Sequence, residues 1–316
     1  MILRLIERIA VLAASLTVSS ILVFGFMAVL PGDPARVALG VNASDQAVTA
    51  LRADFGLDRP LVSQYFSWVG GLLRFDLGDS YISRAPIGPQ VADRLQVSLW
   101  LVGCSMVIAV VIAVPVGSLM AVWHRRISGL LLSAASQVGV AIPAFLAGIL
   151  LITVFAVRLG WLPANGWTPP AQDPVMFLKQ LTLPALSLGL VQAAVLARYV
   201  RSSVLDILRE DFLRTARAKG LRPMPALVRH GLRNASVPVI TVLGLQLATL
   251  LIGAVVVERV FVIPGLGSLL LDAVANRDLI LVQDVVIILV VAVLVVNFVV
   301  DLLYVAIDPR MRVGAR

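Results

Sequence analysis

The chain has 316 residues, of which 59% are apolar and only 14% are charged. A soluble domain carries about 25% charged residues, so this composition indicates a polytopic membrane protein rather than a single soluble core. The net charge of +8 would suit a nucleic-acid partner, but its distribution along the chain, described below, argues against one. One cysteine and two histidines offer neither a disulfide framework within the chain nor metal-ligand spacing.

The first apolar run covers Ile9–Leu30, is uncharged, and follows Arg4 and Arg8. Its length predicts a membrane span, and the preceding arginines place the amino terminus on the cytoplasmic side. A cleaved signal peptide is the alternative, but the run exceeds a usual signal-peptide core and no small-x-small site precedes Pro31. We therefore interpret residues 1–30 as an amino-terminal transmembrane helix.

The only long polar segment, residues 31–96, follows this span and is expected to lie outside the cytoplasm. Glycine and proline pairs divide it into short pieces, as turn signals do. Within it, Asp45–Asp54 is predicted to form a helix with Ser44 as its amino-terminal cap.

Three further apolar runs are predicted to cross the membrane: Val97–Trp123, Ile127–Val157 and Leu181–Ala197. Pro143 lies inside the second of these runs, and a membrane helix tolerates proline where neighbouring groups bind the freed carbonyl. Arg198 shortens the third run. His124-Arg125-Arg126 marks a cytoplasmic turn, and residues 158–180 return to the outer side.

The last two predicted spans are Ala235–Val257 and Val285–Ile307. A turn and a short helix, Ser268–Ala275, lie between them on the outer side. Small and polar residues in these spans either pack helices together or line a pathway. The candidates for a pathway are Thr241, Gln246, Thr249 and Asn297. Asp301 lies within two turns of the cytoplasmic end, where pairing with an arginine is its expected role.

A basic amphipathic stretch, Asp206–Pro238, separates the fourth and fifth spans. Apolar residues recur at helical spacing up to Ala216, and Gly220 ends the run, with prolines close behind it. A second short helix is predicted at Ala226–Asn234. The expected shape is a helix, a sharp corner and another helix at the membrane surface.

Three interpretations of this basic stretch remain open from its residues. It could be a solvated loop kept inside by its charge, a helix attracted to anionic lipid, or a docking element for a soluble partner. The small residues at the corner, Thr215, Ala216, Ala218 and Gly220, favour docking, because a lipid-binding helix would have bulky side chains there.

The distribution of charge tests this topology. The segments predicted inside hold most of the lysines and arginines and the whole positive excess, whereas the segments predicted outside are slightly acidic. This asymmetry supports two cytoplasmic termini and removes the need for a nucleic-acid partner.

The motifs of the basic stretch resemble a known family. Arg-Thr-Ala-Arg-Ala-Lys-Gly-Leu (Arg214–Leu221), His230-Gly-Leu-Arg-Asn-Ala and Pro238 are similar to the coupling loop of ABC-importer permeases, in the dipeptide/oligopeptide/nickel branch. The family's usual Glu-Ala-Ala start is replaced by Arg214-Thr215-Ala216, as in that branch. Further matching blocks are Pro31-Gly-Asp-Pro, Glu258–Gly267, Ala275–Asp278, and Asp301 with Asp308-Pro-Arg.

The resemblance implies an all-α protein with six transmembrane helices and the type I ABC importer permease fold. Residues 97–316 would form the permease domain, with coupling helices at 206–234, and residues 31–96 would be extracytoplasmic. That outer segment is either an ordered insertion or part of the docking surface for a solute-binding protein. Contacts with this binding protein are expected at Pro264, Gly265 and Gly267. The residues expected to couple to an ATPase are Glu210, Arg214, Thr215, Ala216, Arg217, Ala218, Lys219 and Gly220.

The expected function is that of a non-catalytic permease subunit in the bacterial cell membrane, importing peptides. Its partners would be a homologous second permease, two ATPases and an extracellular binding protein. The chain has no Gly-Lys-Ser/Thr phosphate-binding loop, so ATP and Mg²⁺ are expected on the ATPases and no cofactor here. A nickel chelate or another small solute is the alternative cargo. A stand-alone channel or secondary transporter is a more distant alternative, because the central spans are nearly free of charge.

Overall fold

The computed structural model describes the backbone of residues 2–30, 32–40 and 42–307. It leaves the side chains of residues 2–5, 217, 223, 230, 233, 237, 301 and 303–307 undescribed. The predictions for Asp308-Pro-Arg, the carboxy terminus, Pro31, and the side chains of Arg217, His230 and Asp301 therefore lie outside the described residues.

Most of the described residues are helical, and they contain one isolated β-bridge, between Asp79 and Pro86. The helices are α1 (Ile2–Val29), α2 (Pro34–Leu39), α3 (Asp45–Asp54), α4 (Leu61–Leu73), α5 (Ile87–Val122), α6 (Ile127–Ala141), α7 (Ala144–Leu151), α8 (Pro174–Ile207), α9 (Asp211–Ala218), α10 (Pro223–Ala226), α11 (Leu232–Val260), α12 (Leu266–Ala275) and α13 (Leu279–Ile307). Two π-helical turns, Ile152–Arg158 and Leu227–Gly231, follow α7 and α10.

Five of these helices are long and apolar enough to cross a membrane, and α6 and α7 with its following π-helical turn pass the same test only when they are taken together as one bent pair. This confirms the predicted polytopic all-α architecture. The predicted spans Leu181–Ala197, Ala235–Val257 and Val285–Ile307 lie inside the longer helices α8, α11 and α13, whereas Ile9–Leu30 and Val97–Trp123 each run one residue past the end of α1 and α5. Asp173 caps α8 by accepting hydrogen bonds of 3.0 Å from the amides of Val175 and Met176, with Pro174 at the first helical position. Arg198 does not shorten this helix, which continues to Ile207.

The expected continuous helix over Ile127–Val157 is wrong. The chain breaks at Ile142-Pro143, and α6 and α7 meet at an angle of 100°. Ile142 is extended, with φ −85° and ψ 120°, because the proline ring disfavours the helical conformation in the preceding residue. A proline alone does not break a helix here, because Pro115, Pro184 and Pro238 lie inside helices. At Pro143 the helix breaks because the preceding residue is extended.

The chain packs into two compact units. The first comprises residues 1–98 and 264–295. Its core joins the start of α5, α12 and the start of α13 through buried residues such as Ile87, Leu266 and Val285. The hydroxyl of Ser98 accepts the amide of Leu266 at 2.8 Å, at the first residue of α12. Residues 264–295 thus pack with the amino-terminal segment, which the sequence did not indicate.

The second unit comprises residues 99–263 and 296–316, of which residues up to 307 are described. Its core is formed by α5, α8 and α11, where small buried side chains such as Ala113, Ala197 and Ala235 let the helices approach closely. Gly117 fits this pattern, because a Cβ there would lie 2.5 Å from the carbonyl oxygen of Ala197. This core holds the two helices that flank the basic stretch.

Candidate functional site

The basic stretch forms an elbow between α8 and α11. Helix α8 ends at Ile207, and a tight turn at residues 208–210 leads into α9. The amides of Leu213 and Arg214 donate to the carbonyl of Glu210, each at 3.1 Å. These backbone bonds start α9 at Asp211, so the amphipathic run predicted to begin at Ile207 is interrupted by the turn and is helical again only up to Ala218.

One face of α9 is anchored inside the elbow. Leu213 is fully buried and Ala216 is buried against Ala226, with Ile207 and Leu221 packed around them. Full burial of a leucine contributes about 1.5–3 kcal/mol, so this small cluster holds α9 against the chain. Ala216 therefore faces the elbow rather than the surface, unlike the other predicted coupling residues whose side chains are described.

The corner after α9 depends on glycine. Gly220 has φ +94°, and the amide of Leu221 donates to the carbonyl of Ala216 at 3.3 Å. This is the pattern of a Schellman motif, in which a left-handed residue lets the chain fold back over the last helical turn. Nothing lies within 4 Å of a Cβ built on Gly220, so the backbone conformation, not space, requires glycine here.

The outer face of α9 is charged and exposed. The guanidinium of Arg214 lies 3.5 Å from Asp211, but their side chains are 74% and 95% exposed, so this pair adds little stability. The hydroxyl of Thr215 donates to the carbonyl of Asp211 at 2.9 Å, within the helix. The exposed residues among those predicted to couple are Glu210, Arg214, Thr215, Ala218, Lys219 and Gly220.

The far side of the elbow joins α11 without a separate helix. The predicted helix at Ala226–Asn234 is replaced by α10 and a π-helical turn that runs directly into α11. Gly231 lies in this turn, where a Cβ would be 2.8 Å from Leu227 and 3.3 Å from both Ile207 and Leu213. The carboxyl end of α8, α9 and the start of α11 are thus packed together as one piece.

The predicted pathway residues separate onto two faces of α11. Thr241 and Thr249 lie on an exposed face together with Leu245, which is 64% exposed. Gln246 is instead buried, and its Nε2 has no hydrogen-bond partner among the described residues. Asn297 is half-buried on α13. Their role stays a prediction.

The two glycines of α11 are packing positions. A Cβ on Gly244 would lie 2.6 Å from Cγ2 of Val300, and one on Gly253 would lie 3.2 Å from Leu188. The sequence left open whether the small residues of this span pack helices together or line a pathway. These two glycines pack helices together.

The predicted contacts with a binding protein lie at the start of α12. Gly265 and Gly267 are buried within the chain, whereas Pro264 is half-buried. Only Pro264 of the three presents surface to a partner, and the contact itself stays a prediction.

Two buried acids in the first unit were missed from the sequence. Asp284 is fully buried and accepts a hydrogen bond of 2.8 Å from the indole of Trp68. Asp278 is also buried and accepts from the hydroxyl of Ser80 and, at 3.3 Å, from the amide of Tyr81. Burial, reinforced by the charges of Asp284 and Asp278, raises the pKa of Tyr81 to about 12. Acids at the edge of an apolar run are the signal that could have found them.

A cavity of about 470 Å³ lies in the same unit. Its wall carries aromatic side chains, including Phe24, Phe55 and Trp68, beside the charged Arg52 and Asp33, which form an ion pair of 2.9 Å. No group of three histidine, cysteine or acidic side chains suited to a metal ion occurs within the described part of the chain.

Comparisons with known proteins agree with this architecture. The family model of the binding-protein-dependent transport system inner membrane component matches residues 113–313, and the N-terminal model of such membrane components matches residues 1–102.

The chain is also similar to individual relatives. It is 42% identical over 310 residues to the glutathione transport system permease protein GsiC of Escherichia coli (strain K12), covering 97% of this chain and 98% of that protein. The same values hold for GsiC of Shigella dysenteriae serotype 1. Among solved structures, the inward-facing MetNI methionine ABC transporter matches 69% of this chain and 96% of its own with a TM-score of 0.58 and 21% identity.

Proposed function

Because the chain belongs to the binding-protein-dependent transport system inner membrane components, we propose that it is one of two permease subunits of an ATP-driven importer of peptides. It is an ABC importer permease of the peptide-type family, with a multi-pass inner-membrane location. Beyond family and location, we propose the class of cargo, the partner subunits and the surface on which the ATPases act. We also propose that both termini lie in the cytoplasm.

The cargo is proposed from the relatives. The relatives that match this chain over 97% of its length are named as permeases of a glutathione transport system. Glutathione is a tripeptide. Short peptides are therefore the first class of solute to test, delivered by an extracellular binding protein. A reconstituted importer should accumulate labelled glutathione or a labelled dipeptide, and accumulation of a nickel chelate alone would reject the peptide cargo.

The elbow is the observation that carries the proposed coupling. The outer face of α9 is charged and exposed, whereas its inner face is fixed to α8 and α11 through Leu213 and Gly231. A partner that seats on the outer face can therefore move two membrane helices through one short helix. We propose that one ATPase subunit docks on this outer face of α9, and that a second ATPase docks on the corresponding face of a homologous second permease.

In this mechanism the chain hydrolyses nothing. ATP and Mg²⁺ bind to the ATPases, whose closure displaces α9, and the packed helices then tilt as rigid bodies. Arg214 and Lys219 hold the ATPase by charge, and Thr215 and Ala218 by close fit. The exposed face of α11, with Thr241 and Thr249, is left for the second permease or the pathway.

Copurification tests the docking surface directly. The double variant Arg214→Glu, Lys219→Glu should lose most of the ATPase that copurifies with the wild-type importer, because it reverses the charge of the outer face of α9. Arg125→Glu is the matched control, since Arg125 is exposed and lies in another loop predicted on the same side. Recovery of as much ATPase with the double variant as with the wild type would show that the ATPase does not dock on the outer face of α9.

A further inference from the structure

Helix α4 carries an uncharged run between two arginines. Residues 60–73 contain no charge, and Arg59 and Arg74 flank them. On the helix, Val62, Phe66 and Leu73 fall on one face, since steps of four and seven residues return to nearly the same direction. These side chains are 67%, 66% and 79% exposed. The face is apolar and uncovered within this chain.

The neighbouring face of α4 packs on α1. The hydroxyls of Tyr65 and Ser20 are 2.8 Å apart, and the rings of Tyr65 and Phe24 meet edge to face with centroids 5.5 Å apart. Trp68 lies 6.0 Å from Phe24. These contacts fix the position of α4 along α1.

That position lies within the hydrocarbon layer. The uncharged part of α1, residues 9–29, spans about 31 Å at 1.5 Å per residue, which matches a hydrocarbon core of about 30 Å. Ser20 lies nine residues before Val29, the last residue of α1, and so about 13 Å below the membrane boundary. Tyr65 can reach Ser20 only if α4 lies beside the acyl chains.

The side of α1 turned away from α4 is also apolar and exposed, since Leu22 and Phe26 lie about half a turn from Ser20. Leu22 and Phe26 on α1 are 66% and 67% exposed, and only 6% of this span is buried within the chain. Helix α4 has 13 residues and a length of about 20 Å, which is too short to cross the core. An apolar helix of this length beside a span fits a position in one leaflet.

We propose that α4 is an interfacial helix embedded in the leaflet that faces segment 31–86, with Val62, Phe66 and Leu73 against acyl chains. Arg59 and Arg74, both exposed, flank the embedded run, and long arginine side chains can extend from the edge of an apolar layer toward water. The segment is thereby held on the membrane at a second point besides α1.

Spin labelling of the full chain in lipid nanodiscs tests this position. Cys104, the single cysteine, is replaced by serine, and a nitroxide is attached to Phe66→Cys or Leu73→Cys. Leu22→Cys on α1 provides the lipid reference, and Thr49→Cys on α3 provides the water reference, since both positions are exposed. Collision rates with oxygen, which concentrates in lipid, and with a water-soluble nickel complex are then compared.

We expect labels at positions 66 and 73 to match the lipid reference, with an oxygen-to-nickel ratio several-fold above that at position 49. A ratio equal to that of the water reference would overturn the proposal. Low collision rates with both reagents would also overturn it, because they would show that protein covers the face. A fluorophore at position 66 should also be quenched by lipids brominated on their acyl chains, and absence of quenching would count against insertion.

Discussion

The hydroxyl of Ser203 donates a hydrogen bond of 2.7 Å to the carbonyl oxygen of Ala235, 32 residues further along the chain. Ser203 lies near the end of α8 and Ala235 near the start of α11, and both are buried. The bond therefore joins the end of α8 to the start of α11, the two helices between which the elbow lies. Motion of α9 reaches both helices through this junction and the packing around Gly231.

Removing this bond should loosen the junction between α8 and α11. Ser203→Ala is expected to lower the free energy of unfolding by about 1 kcal/mol, the net value of a typical buried hydrogen bond. It should also reduce solute imported per ATP hydrolysed in the reconstituted importer. Ser202→Ala is the matched control, because Ser202 is the adjacent serine and is exposed. Unchanged coupling in Ser203→Ala would show that the junction does not transmit force.

Replacing the corner glycine should uncouple hydrolysis from uptake. Gly220→Arg forces a non-glycine residue into a left-handed conformation, at a cost of about 1–2 kcal/mol, and should displace the end of α9. We expect ATP hydrolysis to continue while uptake falls, with normal amounts of protein in the membrane. Gly160→Arg is the control, since Gly160 also has positive φ and open space around it. Normal uptake by Gly220→Arg would contradict the proposed lever.

A larger residue at Gly244 should separate α11 from α13. The Cβ of Gly244→Ala would approach Val300 to 2.6 Å, and overpacking of this kind costs about 1–3 kcal/mol. Thermal unfolding in detergent should show the loss, and Val300→Ala should restore part of it. Gly103→Ala, in α5 with nothing within 4 Å of its Cβ, should be neutral. A loss that Val300→Ala leaves unchanged would place the clash elsewhere.

Loss of the indole N–H at Trp68 should destabilise the first unit. Trp68→Phe keeps an aromatic ring but removes the donor to Asp284, whose other oxygen already has no partner among the described residues. Leaving a buried acceptor without its donor costs about 1–3 kcal/mol, and limited proteolysis of residues 74–86 should reveal a loss of this size. Trp161→Phe, at a tryptophan that is 66% exposed, is the control. Equal protease resistance of Trp68→Phe and the wild type would contradict this role.

What the sequence predicted well was local. Ser44 accepts the amide of Ala47 at 3.3 Å and starts α3 at the predicted residue, because a cap acts over three residues. Gly220 forms the corner after α9 as predicted, because the cap at the carboxyl end of a helix also acts within a few residues. Five of the six predicted crossings correspond to continuous apolar helices, because apolar length needs no knowledge of neighbours.

What the sequence could not predict depends on contacts between distant residues. Trp68 and Asp284 are 216 residues apart, so neither residue alone signals the pair. Ala216 sits inside the elbow because Ala226 and Leu221 fold back over it, which a pattern of small residues does not reveal. The break at Pro143 could be anticipated as a proline effect, but its angle of 100° depends on how α6 and α7 pack on α8.

That angle has a consequence for how the protein is made. Helix α6 has 15 residues and a length of about 22 Å, so neither arm of the bent pair bridges the lipid core alone. Both arms pack on α8, which leaves the ribosome only after them. The packing that holds the bent pair is therefore completed only once the following helix has been synthesised.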